Sequence, residues 1–305
     1  MKNKIVNKKY VFVGDIDSIN IEIIAKSFLF LKNKVNYVLI GSYEEIKKYL
    51  LKINSPIKIQ KINDIFTFDN LNQNKLNIYD ILYKSDKLKT LINQIEVCNF
   101  LALKTGIDLV TMPINKSIFK ENIDFIGMTE HLGKLNNKQT YMLMYGDKFS
   151  VVPLTTHINV KNVFKKINNK FFLKNTTRNL LKILNNKNNK YLGFKKIFFL
   201  CYNPHCGENN YLGLEDYKIK NTIKDTKIKG PIPADSAFNN LDKNILFLSS
   251  YHDQALIPFK ILNKKAVNIT LGLKFKRLSP AHGTAKNIKY KNMADITSYL
   301  QCMLI

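Results

Sequence analysis

Three of the five histidines in this 305-residue chain stand in short polar segments directly after apolar runs that predict β-strands. They are His157 after Phe149–Leu154, His205 after Lys196–Tyr202 and His252 after Ile245–Ser250. In a mostly parallel sheet, ligands bind at the carboxyl ends of the strands. Neutral imidazoles are good ligands for a divalent metal, so this placement predicts one shared metal ion. The alternative is that each histidine is an isolated polar residue of a loop.

The four cysteines have no C-x-x-C spacing, and we expect them to be reduced thiols: Cys98, Cys201, Cys206 and Cys302. Cys206 lies beside His205 and could therefore be a further ligand for a soft metal. A small side chain packed at a tight turn would explain this cysteine equally well.

The formal net charge of +25 would ordinarily indicate a nucleic-acid partner. However, nearly all the basic residues are lysines, and the only arginines are Arg178 and Arg277. The lysines are dispersed along the chain rather than gathered in a basic arm with interleaved aromatic residues. We interpret this as the codon bias of an A/T-rich genome and predict no nucleic-acid partner. Arg277 is then notable, because a guanidinium suits bidentate contacts to carboxylate or phosphate.

The composition is that of a globular protein, with 45% hydrophobic and 23% charged residues. The length is sufficient for one large α/β domain or for two lobes with a real core. No apolar stretch reaches membrane-spanning length, and residues 1–4 do not begin a signal-peptide pattern. We therefore expect a cytoplasmic protein.

Strand-like and helical patterns alternate along the first part of the chain. The strand-like runs are Lys9–Gly14, Tyr37–Gly41 and Asp108–Pro113, and the helical patterns cover Ser18–Leu31, Glu44–Lys52 and Lys84–Lys104. Later residues predict a hairpin around Gly146-Asp147-Lys148, a strand at Ala266–Leu271 and a terminal helix over Thr284–Ile305 with a break near Lys291. The alternation predicts an α/β fold with a mostly parallel sheet. No G-x-G-x-x-G fingerprint for a dinucleotide is present.

A series of short motifs gives the chain a family resemblance from about Asp108 to its C-terminus. The motifs are Thr111–Lys116, Gly127–Glu130, Thr155–His157, Asn203–Glu208, Gly213–Glu215, Gly230–Asp235, Tyr251–Gln254, Val267–Leu273, Arg277 and His282–Ala285. Together and in this order they resemble the 4-hydroxythreonine-4-phosphate dehydrogenase (PdxA) family of pyridoxal phosphate biosynthesis. N-P-H-x-G-E, Y-H-D-Q and H-G-T-A in sequence are specific, whereas any one of them alone would be weak.

The resemblance implies the two-lobed fold of isocitrate and isopropylmalate dehydrogenases. One lobe would comprise residues 1–125 with 265–305, the other residues 126–264 with the dimer interface, and the active site would lie in the cleft between them. It also implies a homodimer in which His157, His205 and His252 bind one divalent ion (Zn, Mg or Co), with ligands from both subunits.

The resemblance further assigns substrate and cofactor residues. Substrate contacts would be Thr129, Lys260, Asn268 and Arg277, and the His282–Ala285 loop (His282, Gly283, Thr284 and Ala285) would contact NAD or NADP. The implied reaction oxidises 4-phosphohydroxy-L-threonine to a β-keto acid that loses CO₂ to give 3-amino-2-oxopropyl phosphate. Lys260, Asp235 and Asp253 are the catalytic candidates; the two aspartates could instead orient histidines or cap helices.

Several positions depart from the family pattern. The family's N-terminal motif G-D-P-x-G-I-G-P-E corresponds to Gly14–Glu22, which lacks the motif's two later glycines and both of its prolines. Elsewhere, Met112 replaces a glycine of the family pattern, Met128 a histidine and Ala281 an aspartate. His131 could substitute for the imidazole missing at Met128, or it could be a surface residue of a helix. Alternative functions are therefore a dehydrogenase of a related phosphorylated sugar acid (threonate or erythronate type), a metal hydrolase, or a basic nucleic-acid-binding protein.

Overall fold

The computed structural model describes residues 7–66, 68, 71–82, 85–119 and 125–305. Its strands are β1 Asn7–Phe12, β2 Val35–Gly41, β3 Ile59–Ile62, β4 Leu76–Asp80, β5 Asp108–Thr111, β6 Tyr141–Gly146, β7 Ser150–Pro153, β8 Lys196–Leu200, β9 Ile228–Ile232, β10 Ile245–Ser249, β11 Ala266–Leu271 and β12 Arg277–Pro280. Its α-helices are α1 Asn20–Leu31, α2 Tyr43–Lys52, α3 Lys87–Thr105, α4 Met128–Leu135, α5 Val160–Asn168, α6 Lys170–Leu184, α7 Glu215–Ile223, α8 His252–Leu262 and α9 Thr297–Leu304. Short 3₁₀ turns cover Lys116–Phe119, Lys187–Leu192, Pro204–Gly207 and Lys286–Ile288.

The chain divides into two compact units, Met1–Leu132 with Leu273–Ile305 (unit 1) and Gly133–Gly272 (unit 2). The predicted lobe boundaries, at 125/126 and 264/265, differ from this division. They differ at the second boundary because β11 pairs with β6 along its whole length, from Ala266↔Gly146 to Leu271↔Tyr141. The strand that was expected in the lobe with both termini therefore belongs to unit 2.

The strands of unit 1 lie in the order β3-β4-β2-β1-β5-β12, and the pairs between them are parallel. Helix α3 packs on this sheet through Leu91, Ile95 and Cys98, opposite the buried Tyr10 and Val38. Asp86 caps the start of α3 by accepting from the backbone N–H of Lys89, and Gly106 ends it in a left-handed conformation. The predicted start of this helix, Lys84, lies outside the described residues.

The strands of unit 2 lie in the order β11-β6-β7-β10-β8-β9. The β11–β6 and β6–β7 pairs are antiparallel, as the predicted hairpin requires, and the remaining pairs are parallel. Phe149, fully buried, contacts the rings of Phe238, Phe247 and Phe259 at centroid distances of 5.3, 5.6 and 5.8 Å. This aromatic cluster anchors α8 to the strands that precede the histidine segments.

The predicted fold class, α/β with a mostly parallel sheet, is confirmed. The predicted terminal helix is confirmed only after its predicted break, over Thr297–Leu304. Its first part is wrong, because Ala285, Tyr290 and Asn292 adopt positive φ angles of 43°, 64° and 56°, which no α-helix accommodates. Only the final turns, α9, are α-helical. No helix within the described residue ranges is long and apolar enough to cross a membrane.

A buried ion pair links two central strands of unit 1. The Nζ of Lys9 on β1 lies 2.7 Å from Oδ2 of Asp108, its register partner on β5, and the lysine is fully buried. Burial lowers the pKa of Lys9, while Asp108 opposes that shift. Lys276 also approaches the same carboxylate oxygen, at 3.5 Å.

We expect Lys9→Met to lower the free energy of unfolding by about 3 kcal/mol, because it removes the nearest partner of a largely buried carboxylate. The double variant Lys9→Met/Asp108→Leu should recover most of that loss, since an apolar pair replaces the ion pair. Urea denaturation measures both. A single variant as stable as the parent would show that the ion pair does not support the sheet.

Candidate active site

His157 and His252 lie side by side in unit 2, with ring centroids 5.9 Å apart. Their position follows from the parallel pairing of β7 with β10, in which Ser249 lies opposite Pro153. The polar segments that leave these two strands therefore run next to each other, and the Thr155 hydroxyl donates to the Ser250 carbonyl between them. A cavity of about 360 Å³ opens here, bounded by residues 156–160 and 251–253.

Asp253 fixes the orientation of the His252 ring. Its Oδ1 lies 2.7 Å from Nδ1 of His252, and its Oδ2 accepts from the Tyr251 hydroxyl at 3.2 Å. The hydrogen bond from His252 is the main cause that lowers the pKa of Asp253, so this carboxylate is ionised at neutral pH. An ionised carboxylate accepts the proton on Nδ1, which leaves the Nε2 lone pair of His252 available to a metal.

His205 occupies an exposed turn after β8. His205 and Cys206 both have left-handed backbones, with φ of 48° and 58°. Asp216 holds the start of this turn, because its carboxylate accepts from the backbone N–H groups of Tyr202 and Asn203 at 2.7 and 2.9 Å. The turn thus presents the His205 imidazole outward from a fixed backbone.

The described residues of a single chain contain no group of three or more His, Cys, Asp or Glu side chains arranged to hold a metal. The structure therefore brings together His157 and His252 and leaves His205 on its own turn. The donor set nevertheless suits a divalent ion, since two imidazoles are adjacent and one has the carboxylate partner typical of metal-bound histidine. Whether a second subunit supplies the third imidazole stays a prediction.

The other predicted residues of unit 2 lie on three different elements. Lys260 is exposed on α8, and Asp235 is exposed after β9. Asn268 is half-buried on β11, and its Oδ1 is buried without a hydrogen-bond partner among the described residues. A buried amide oxygen of this kind is available to a ligand donor.

Arg277 of unit 1 is almost completely buried on β12. Its Nε donates to the Thr111 hydroxyl at 2.8 Å, and burial lowers its pKa to about 10, which still leaves it charged at neutral pH. Thr111 is the last residue of β5, and the sequence motifs did not predict it as the hydrogen-bond partner of Arg277. Thr129, in the first turn of α4, is also buried.

The His282–Ala285 loop contacts the start of α1. The Thr284 carbonyl accepts from the backbone N–H of Ile19 at 3.2 Å. Nδ1 of His282 lies 2.9 Å from the Gly283 carbonyl, and burial lowers the pKa of this histidine. The loop therefore carries a neutral imidazole at physiological pH.

A family model described as pyridoxal phosphate biosynthetic protein PdxA matches residues 33–305 of this chain. The chain belongs to the PdxA family. A 4-hydroxythreonine-4-phosphate dehydrogenase of Aquifex aeolicus is 35% identical over 318 aligned positions, covering 98% of this chain and 97% of that protein.

Two further relatives show the extent of the likeness. A 4-hydroxythreonine-4-phosphate dehydrogenase of Hydrogenobaculum is 42% identical over 195 positions, so the match spans 62% of this chain and only 61% of that relative. A crystal structure of 4-hydroxythreonine-4-phosphate dehydrogenase from Klebsiella pneumoniae is 25% identical, covers 97% of this chain and 98% of that chain, and has a TM-score of 0.79.

This PdxA chain rebuilds the divergent loop at 14–22 with side-chain hydrogen bonds. Asn20 stands where the motif has a glycine, and its amide donates to the carbonyls of Val13 and Pro113 at 2.9 and 2.8 Å. Ser18, at another former glycine, accepts from the backbone N–H of Asn20 at 3.1 Å. Hydrogen bonds from polar side chains thus fix the backbone of this loop at positions where glycine would leave it more conformational freedom.

Met128 stands where the family pattern has a histidine, and its side chain makes apolar contacts in this structure. Met128 packs against the hydrophobic core of unit 1. The His131 ring packs on Phe125, with centroids 5.1 Å apart, and Phe125 stacks on Phe119 at 3.9 Å. Both side chains therefore contribute to apolar packing in this region.

If Asp253 orients a metal ligand, Asp253→Asn should weaken zinc binding about ten- to a hundredfold, because an amide no longer fixes the His252 tautomer. Competition with a chelating indicator measures the affinity. The matched control is Asp225→Asn, a change at an exposed aspartate of the same unit, which should leave zinc affinity unaltered. Equal zinc affinity in the Asp253→Asn variant and the parent would contradict this role.

Proposed function

We propose that this PdxA chain is a metal-dependent dehydrogenase that oxidises 4-phosphohydroxy-L-threonine with NAD or NADP. The product would be a β-keto acid that decarboxylates to 3-amino-2-oxopropyl phosphate, within cytoplasmic pyridoxal phosphate biosynthesis. The observation that carries the proposal is the adjacent His157–His252 pair with its Asp253 partner, in a chain alignable almost end to end with a dehydrogenase of that name.

The proposal assigns a role to each of the predicted site residues. His157 and His252 would bind the metal, which when bound lowers the pKa of a substrate hydroxyl and stabilises negative charge on its oxygen. Lys260 and Arg277 would supply positive charge to the substrate's carboxylate and phosphate. Asn268 and Thr129 would contribute polar contacts, and Asp235 is a candidate for proton transfer. The His282–Ala285 loop would contact the nicotinamide cofactor.

The exposed surface around His205 supports a homodimer. Four large apolar side chains of this region are exposed, Tyr211 at 86%, Leu212 at 42%, Leu214 at 53% and Tyr217 at 54%. Exposed apolar side chains clustered in sequence are typical of a protein–protein interface. A second copy that covers them would bring its own residues close to the outward-facing His205, which would complete the metal ligands from two subunits.

The substituted position Met128 supports a second candidate substrate. A methionine cannot donate the hydrogen bond that the family's histidine would give. A dehydrogenase for a related phosphorylated sugar acid, phosphothreonate or phosphoerythronate, would share the phosphate, carboxylate and secondary alcohol but need a different set of donors.

The direct test is an assay with 4-phosphohydroxy-L-threonine and NAD or NADP, following formation of the reduced nicotinamide by its absorbance. We expect turnover that a chelator abolishes and added divalent metal restores. Phosphothreonate and phosphoerythronate serve as matched comparison substrates. A kcat/KM for either of them above that for 4-phosphohydroxy-L-threonine would indicate that the substrate is the sugar acid. Hydrolysis of the phosphate ester without nicotinamide reduction would instead indicate a metal hydrolase.

A further inference from the structure

Unit 2 contains a long segment that is rich in cations and has no carboxylate. Residues 148–207 include eleven lysines and one arginine but no aspartate or glutamate. An A/T-rich genome explains the preference for lysine over arginine, but it does not explain the loss of carboxylates, which occur 23 times in the rest of the chain. Positive charge is therefore concentrated in this segment beyond what the general composition requires.

The cations of this segment also lack the ion pairs that other lysines form. In unit 1, for example, Lys61 pairs with Asp80 at 2.7 Å and Lys48 with Glu45 at 2.9 Å. Among the described residues, none of the twelve cations in 148–207 forms an ion pair with a carboxylate, and all twelve are exposed. Their charge is therefore available to a polyanion.

Helix α6 arranges four of these cations in a row along its outer face. The row consists of Lys170, Lys174, Arg178 and Lys182, all exposed. They recur every four residues, so successive charges are about 6 Å apart along the helix axis and the row spans about 18 Å. The opposite face of α6 is buried through Leu173, Thr177 and Leu180. The packing of α6 therefore keeps the row directed at solvent.

Two exposed phenylalanine rings accompany this row. Phe171 is 79% exposed on α6 and lies on the same face as Lys174, three residues later. Phe164 is 51% exposed on α5, and the single residue Asn169 caps both the end of α5 and the start of α6. Exposed rings among cations suit a single-stranded nucleic acid, because bases stack on the rings while the cations contact the phosphates.

We propose that the α5–α6 surface, formed by Phe164, Phe171 and the cation row of α6, binds single-stranded nucleic acid. The dispersal of lysines along the sequence predicted no such partner, but the helical repeat gathers four cations on one face. An anionic membrane suits this surface less well, because the apolar face of α6 is already buried and an interfacial helix needs such a face for the lipid. None of the residues assigned to dehydrogenation belongs to this surface, so the binding is a separate activity.

Fluorescence anisotropy with a labelled oligoadenylate RNA of about 16 nucleotides tests the inference on the full-length protein. We expect saturable binding that weakens about fiftyfold between about 50 and 200 mM salt, because four phosphate contacts release about three counterions from a single strand. Lys170→Gln/Lys174→Gln/Arg178→Gln should weaken binding at least tenfold at about 100 mM salt and lower the slope of log Kd against log salt by about two. An unchanged midpoint of urea unfolding checks that this variant is folded.

The matched control is Lys34→Gln/Lys47→Gln/Lys58→Gln, which removes the same charge from exposed lysines of unit 1. It should change the affinity by less than about twofold, because only cations that contact phosphates release counterions. Phe171→Ala tests the ring. It should weaken oligoadenylate binding about tenfold, as expected for one lost stacking contact, and leave the affinity for an abasic strand of the same length unaltered.

Equal weakening by the two triple variants would show that the strand responds only to net charge, and it would overturn the proposed surface. Lack of saturable RNA binding by the parent at about 50 mM salt would overturn it too. Binding to vesicles of phosphatidylcholine and phosphatidylserine, without binding to the oligonucleotide, would assign the surface to a membrane instead. An effect of Phe171→Ala that is equal on the oligoadenylate and the abasic strand would contradict base stacking.

Discussion

Parallel pairing of β7, β10 and β8 determines where the candidate metal ligands of unit 2 lie. Each strand ends at the same edge, so the segments carrying His157, His252 and His205 leave the sheet as neighbours. The β7–β10 register brings the first two imidazoles into one cavity. A slip of one residue in that register would turn every side chain of the shifted strand to the opposite face and separate the pair. The core around Phe149 fixes this register, so packing and chemistry are coupled here.

The sequence was sufficient to predict the features that depend on local pattern and order along the chain. Long apolar runs such as Phe149–Leu154 and Ile245–Ser250 predicted buried strands correctly, because both faces of a central strand are covered. Four strands were not predicted: β3, β4, β9 and β12. Two of them, β3 and β9, are short strands with mixed polar residues at the ends of the strand order. Edge strands need less apolar surface and leave a weaker pattern.

Other features depend on contacts that no local pattern encodes. The partnership of Arg277 with Thr111 joins residues far apart in sequence, and the role of Asp216 beneath the His205 turn is likewise non-local. The three left-handed residues after Thr284 replace the predicted helix and place Tyr290 against Tyr49. Asn20 shows how a motif can lose its glycines and retain an ordered loop, because a side-chain amide supplies the hydrogen bonds.

Mixing of inactive subunits tests most directly whether the metal site is shared. The His157→Ala and His205→Ala variants, purified as a heterodimer with two different tags, would contain one site with all three imidazoles if His205 serves the partner subunit. We predict that the heterodimer binds about one zinc ion and is active, whereas the homodimer of either variant binds about none. A heterodimer that binds no zinc and remains inactive would contradict a site built from His157 and His252 of one subunit and His205 of the other.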